Sequence, residues 1–311
     1  MSGSIREQLD TLFVVSGEMI ENSGEDNFCC LSRGCSSIAA VFDGCGGLGA
    51  KTYAGFQGHT GAYVSSRLMS GAIYDWFLDT NYHIWKSGSD LTQSMNGYMK
   101  QAFAVSEPYS SNSLMLMGSM VRDFPTTAAI ALVQEHNDSL YLFAVWAGDS
   151  RVYLLDSKGL AQLSTDDVSG RDAMSNISNE GALTNVISSD GKFVLHHKVI
   201  KIEDPSLVLT ATDGCFGYLP SPMAFEHMIL SSLQNTSSPF EYRKKLDKEI
   251  REVAGDDYSL ACMSFNFGSF SELKNALSAR TAFVYSQFIN TGVSVEKLWP
   301  EYRKSYERFW G

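Results

Sequence analysis

The sequence predicts an α+β fold of largely antiparallel sheets with helices packed outside them. Three observations predict it. Short runs rich in β-branched and aromatic residues come in blocks and do not alternate strictly with helices. Longer segments with helical spacing lie between and after those blocks. Aspartates, usually beside glycine, stand at the ends of several apolar runs.

The strand candidates are 37–42, 127–133, 140–146, 151–155, 207–212 and Tyr258–Phe265. The runs 140–146 and 151–155 flank Ala-Gly-Asp-Ser and read as a hairpin. Helices are expected over 60–78, 91–104 and Pro239–Val253; the last begins at proline and stops before Gly255. The polar stretch 164–191 reads as a long loop, a feature that tends to be functional in compact domains. Beyond Ser269 the pattern turns helical and then aromatic.

The bulk numbers bound the function. The 311 residues carry 44% hydrophobic and 19% charged side chains, which suits an ordinary globular protein. A formal net charge of −11 excludes binding of nucleic acid through an excess of cations. It also disfavours an anionic substrate unless metal ions reverse the local field. The six cysteines are scattered without CxxC spacing and read as reduced thiols. No stretch reaches the roughly 18 apolar residues of a membrane helix, and the N-terminus lacks an apolar signal core. These readings expect a soluble, cytoplasmic protein with no membrane partner.

Chemistry is expected where the aspartates gather. Asp43-Gly44 follows SIAAVF, Asp149 follows LYLFAVWAG, and Asp213-Gly214 follows LVLTAT. Asp256-Asp257 precedes YSLACMSF, and Glu25-Asp26 precedes NFCC. Any one Asp-Gly is ordinary turn chemistry. Together, carboxylates at the strand ends of one sheet converge and repel unless a cation neutralises them. Hard oxygen donors of this kind suit Mg²⁺ or Mn²⁺.

These residues resemble a known family, the type 2C metal-dependent Ser/Thr protein phosphatases. Val41-Phe42-Asp43-Gly44-Cys45-Gly46-Gly47 is similar to VFDGHGG, and Gly148-Asp149-Ser150-Arg151 to the GDSR element. Leu163-Ser164-Thr165-Asp166-Asp167 resembles LTxDH, and Thr212-Asp213-Gly214 resembles the SDG step. Asp256-Asp257-Tyr258-Ser259 resembles the closing DDxS, and Glu25-Asp26-Asn27-Phe28 the opening NEDxF. The six blocks keep the family's order over about residues 20–266.

The resemblance implies a four-layer αββα sandwich of two mainly antiparallel sheets flanked by helices. It implies two Mg²⁺ or Mn²⁺ ions. Asp43 would bridge them, with Glu25 and the carbonyl of Gly44 on one ion, and Asp213 and Asp256 on the other. Asp26 would orient metal-bound water, and a metal-activated hydroxide would attack phosphoserine or phosphothreonine without a phosphoenzyme. Asp123 is the candidate for a third ion. The catalytic domain would span 1–267, and 268–311 would be a helical, aromatic-rich extension packed on it.

The chain departs from the family pattern at the substrate side. No arginine occupies 18–24, where the family places its phosphate clamp. An arginine fork is hard to replace, and Arg33, Arg122 and Arg171 are the candidate substitutes. Cys45 replaces the family's histidine, a proposed general acid, and neighbouring cations would lower its pKa. Two functions follow: hydrolysis of phosphoproteins, or a pseudophosphatase that keeps the fold and binds a partner. Retention of the core acids favours hydrolysis. The adjacent His196 and His197 point to opposite strand faces and make a poor ligand pair. His59 is expected to face solvent. The aromatic tail around Trp299, Tyr302 and Tyr306 is expected to pack on its own domain, the alternative being a docking surface.

Overall fold

A computed structural model describes residues 9–109, 122–169, 173–174 and 182–310. In chain order the elements are β1 (Leu9–Gly17), β2 (Asn27–Arg33), β3 (Ser36–Phe42), α1 (Gly46–Gly49), α2 (Gly61–Thr80), α3 (Gly88–Ala102), β4 (Ala128–His136) and β5 (Ser139–Ala147). They continue with β6 (Arg151–Asp156), β7 (Gly159–Gln162), β8 (His196–Ile202), β9 (Ser206–Ala211), α4 (Pro222–Gln234), α5 (Pro239–Val253), β10 (Tyr258–Phe265), α6 (Phe270–Val284) and α7 (Val295–Tyr306).

The strands form two five-stranded sheets, ordered β1-β10-β9-β6-β7 and β2-β3-β4-β5-β8. Every pairing is antiparallel. Side chains alternate between two buried faces. On β3, Ile38, Ala40 and Phe42 pack with Trp76, Leu91 and Met95 of α2 and α3. Ala39 and Val41 turn inward and meet Val152, Val208, Ala261 and Met263 of the other sheet. The second sheet sends Leu207, Leu209, Leu260 and Cys262 towards α4, α5, α6 and α7. The four-layer αββα sandwich is therefore the observed architecture. Strands buried on both faces lose the apolar-polar alternation, and all seven positions of β3 are buried.

Helix starts follow local chemistry. Thr60 caps α2 by accepting the N–H of Tyr63 at 3.0 Å. Ser221 and Ser238 cap α4 and α5, each just ahead of a proline. The strand candidates omit β1, β2, β7 and β8, and the helix candidates omit α1 and α4. β7 has only four residues, and α4 is apolar on most sides, burying nine of its residues.

One expectation is corrected. The runs around Ala147 and Arg151 do not form a hairpin. β5 pairs with β4 and β8, whereas β6 pairs with β7 and β9. The Gly148–Ser150 link crosses from one sheet to the other. Gly148 makes the crossing possible with φ at +92°, and a Cβ there would meet the Thr127 side chain at 2.6 Å.

The C-terminal helix is built into the sandwich. Trp299, Tyr302 and Tyr306 of α7 are buried. Tyr302 donates to Glu226 Oε2 at 2.7 Å, and Arg280 grips the same carboxylate at 2.8 and 2.9 Å. The Tyr306 hydroxyl bonds Gln162 at 2.9 Å. Arg151 likewise forms a buried pair with Asp166, at 2.9 and 2.6 Å, which gives this arginine a structural place. Removing one partner of a buried pair strands the other charge, so Arg280→Ala is expected to destabilise by about 3–5 kcal/mol in urea unfolding. Arg280→Met combined with Glu226→Leu should recover most of that loss. Among the described residues, no helix is long and apolar enough to cross a membrane.

Candidate metal centre

Antiparallel pairing carries the acids to one end of both sheets. Asn27 of β2 faces Phe42 of β3, and Ala128 of β4 faces Ala147 of β5. The segments Glu25-Asp26, Asp43 and Asp149 therefore leave one sheet at the same edge. In the other sheet Leu260 of β10 and Arg151 of β6 both face Ala211 of β9. Asp213, Asp256-Asp257 and the start of β6 thus share the matching edge.

Each acid is held by its backbone surroundings. The Asp43 carbonyl accepts the Thr126 hydroxyl at 2.7 Å and the Thr127 N–H at 2.8 Å. Asp26 accepts the Thr212 hydroxyl at 2.8 Å. Glu25 accepts the Thr60 hydroxyl, so its carboxylate sits beside the start of α2. Asp257 holds the Glu25 and Met19 N–H groups, each at 2.7 Å. Gly44 and Gly46 clear the space. A Cβ on Gly44 would meet the Ala62 carbonyl at 2.6 Å, and one on Gly46 would meet Glu25 Oε2 at 2.3 Å.

The electrostatics are those of uncompensated charge. Burial, then Asp213, Asp26, Asp149 and Asp256, push the Asp43 carboxyl well above its ordinary value. Burial and Asp213 do the same to Asp26, against the Thr212 hydrogen bond. Asp149 is pushed up to about 8 by burial, Asp213 and Asp166. Burial raises Glu25 too, with Asp257 and Asp256 adding to it; Thr60 and Arg67 oppose the rise. The Cys45 thiol, 3.9 Å from the Asp43 carbonyl, is raised by burial and by the surrounding acids. In this field the thiol stays protonated.

The donor set fits hard divalent cations. Asp149 Oδ1 is buried without a hydrogen-bond partner, which calls for a positive charge. Among the described residues, however, no three acidic, histidine or cysteine side chains converge on one point as ligands. The carboxylates lie near enough to repel one another without meeting.

Of the residues singled out by sequence, Glu25, Asp26, Asp43, Gly44, Cys45, Asp213 and Asp256 come together here. Asp123 is engaged otherwise: it accepts the Tyr53 hydroxyl at 2.5 Å and pairs with Lys51 at 3.3 Å. Asp149 joins the cluster as well; the sequence places it among the strand-end acids, after the apolar run LYLFAVWAG, but assigns it no ligand. Among the arginine substitutes, Arg33 lies over the Tyr82 ring at the end of β2 remote from Asp26. The Arg122 N–H donates to the Leu48 carbonyl, and Arg171 lies outside the described residues. His59 stacks on Tyr63, and His196 pairs with Asp167 at 3.0 Å.

Comparison with known proteins agrees with this fold. The protein phosphatase 2C family model matches residues 21–251. The chain belongs to that family. No curated protein matches the sequence. Among solved structures it is similar to the serine/threonine phosphatase PstP/Ppp of Mycobacterium tuberculosis, with a TM-score of 0.54 and 17% identity over 83% of this chain and 99% of that one. Stp1 of Staphylococcus aureus gives 0.58 and 13%, covering 86% and 99%. A sex-determining protein of C. elegans gives 0.63 and 14%, covering 86% and 67%. PstP also has a structure in complex with two manganese ions, at 0.51 and 16%, covering 82% and 98%.

Proposed function

We propose that this chain is a Mg²⁺- or Mn²⁺-dependent phosphatase acting on phosphoserine and phosphothreonine in cytoplasmic proteins. One observation carries the reading: Asp213 raises the pKa of Asp26, Asp43 and Asp149, and Asp26 and Asp149 also raise that of Asp43, at a single end of the sandwich. Such a set is stable at neutral pH with cations, and family membership gives the cations a purpose. Glu25, Asp43 and the Gly44 carbonyl would hold one ion; Asp43, Asp213 and Asp256 would hold the other. Two such ions supply the positive charge that a phosphate needs and the Lewis acidity that activates water. Asp26, steadied by Thr212, would orient the attacking water. Cys45 would serve as only a weak acid for the leaving group. Asp123 could serve a third ion only by exchanging its Lys51 and Tyr53 contacts. Residues 268–311 extend the catalytic domain and brace it through α7.

A second reading is a binding module without turnover. Two observations favour it: the segment 18–24 has no arginine, and Asp123 is already paired. Hydrolysis of p-nitrophenyl phosphate by folded protein separates the two. Turnover with Mn²⁺ or Mg²⁺ that vanishes in EDTA is the expected result. Absence of turnover with either ion would sink the phosphatase reading.

A further inference from the structure

We propose that Arg67, delivered from α2, grips the substrate's phosphate oxygens in this chain. The inference rests on the phosphatase reading and names the cation that reading lacks. A cleft of about 460 Å³ opens beside Asp26, lined by Glu18, Glu21, Tyr258 and Arg67 among others. Arg67 is the one cation among its described lining residues. Glu18, Glu21 and Asp26 repel an anion, so a phosphate entering here needs this guanidinium.

Arg67 is prepared for that task. Its guanidinium carbon lies 3.3 Å from the centre of the Tyr63 ring. Nη1 donates to the Tyr63 carbonyl at 3.1 Å and to Ser66 Oγ at 3.4 Å; Nη2 donates to the Gly24 carbonyl at 3.0 Å. These bonds fix the fork in one orientation, which lowers the entropy lost on gripping a ligand. Nε–H and one Nη2–H make no bond among the described residues. The Nε/Nη2 edge is the one with which Arg151 holds Asp166 and Arg280 holds Glu226 in this same fold. A phosphate offers the same spacing of two oxygens. The Nη2 bond to the Gly24 carbonyl, one residue before Glu25, places this charge next to the candidate metal centre.

A competing role is purely structural: Arg67 could do no more than anchor Gly24 and so place Glu25. That role would act through metal affinity instead of phosphate affinity. The test compares wild type, Arg67→Ala and Arg67→Lys, with Arg33→Ala as a control remote from the cleft. The readouts are the inhibition constant of inorganic phosphate, the KM for p-nitrophenyl phosphate, the half-saturating Mn²⁺ concentration and the melting temperature. Arg67→Ala should weaken phosphate inhibition about tenfold to a hundredfold and raise KM similarly, since a charge-assisted pair of bonds is lost. Arg67→Lys should recover only part of this, and half-saturating Mn²⁺ should stay within about twofold, as phosphate and metal contacts are separate. Unchanged phosphate inhibition with a shifted Mn²⁺ requirement would overturn the proposal in favour of the anchor. Wild type without metal-dependent turnover would instead defeat the phosphatase reading. Arg67 is then decided by calorimetric phosphate binding in Mn²⁺, where equal affinity in Arg67→Ala and wild type refutes it.

Discussion

Asp43→Asn is expected to lower metal-dependent hydrolysis by at least about a thousandfold, equal to about 4 kcal/mol of barrier, while making the metal-free protein more stable. The two effects have one cause. Asp43 feels Asp213, Asp26, Asp149 and Asp256 at once, so it would share cations with them and is penalised without them. Asparagine keeps the shape and removes the charge. Removing that charge relieves the burial and the repulsion that raise the Asp43 pKa, so the metal-free variant should be the more stable at neutral pH. The gain should shrink towards pH 4, close to the unfolded value of 3.8, and vanish below it, where the wild-type carboxyl is protonated both folded and unfolded. Urea unfolding in EDTA at pH 7 and pH 4, together with steady-state rates in Mn²⁺, reads both effects. A variant that retains its rate, or that is less stable than wild type in EDTA at pH 7, contradicts the role given to Asp43.

The second large effect is the pH dependence of the metal-free fold. Asp26, Asp43 and Asp149 have folded pKa values raised above their unfolded ones. Below the unfolded value of 3.8 both states hold these protons and the full stability is present. As pH rises, the unfolded chain releases its protons first, so stability is lost up to the folded pKa, about 8 for Asp149. In EDTA the melting temperature should therefore fall from pH 5 to pH 8. Mn²⁺ should restore it, and more strongly at pH 8, because fewer protons then compete for the carboxylates. At a concentration 100 times Kd, one bound ion adds about 2.7 kcal/mol. Asp149→Asn should flatten the decline in EDTA. A melting temperature that holds level from pH 5 to pH 8 and ignores Mn²⁺ would refute this account of the cluster.

Much of this was legible in the chain. Tyr258–Phe265 and Pro239–Val253 have the predicted bounds, because a largely apolar run bounded by aromatic residues and a proline-led helix start are local signals. Asp43, Asp213 and Asp256 announced themselves as strand-end acids, and the ordered motifs tied them to one family. Other features were silent. β1 and β7 carry too little pattern to stand out, and the inward and outward faces of β3 are both apolar.

The sequence by itself determined the α+β class and the family, and it pointed to Asp43, Asp213 and Asp256 as the acids of a centre, since each depends on residue type and order along the chain. Only the tertiary structure decided which sheet each strand joins, and hence that the Gly148–Ser150 link crosses between sheets. It also decided that Asp149 enters the cluster, that Lys51 and Tyr53 occupy Asp123, and that Arg67 lies in the cleft beside Asp26. The reason is physical. Strand partnership and side-chain proximity are settled by burial of two apolar faces and by hydrogen bonds between residues such as Arg67 and Gly24, which lie 43 positions apart, and no local pattern encodes them.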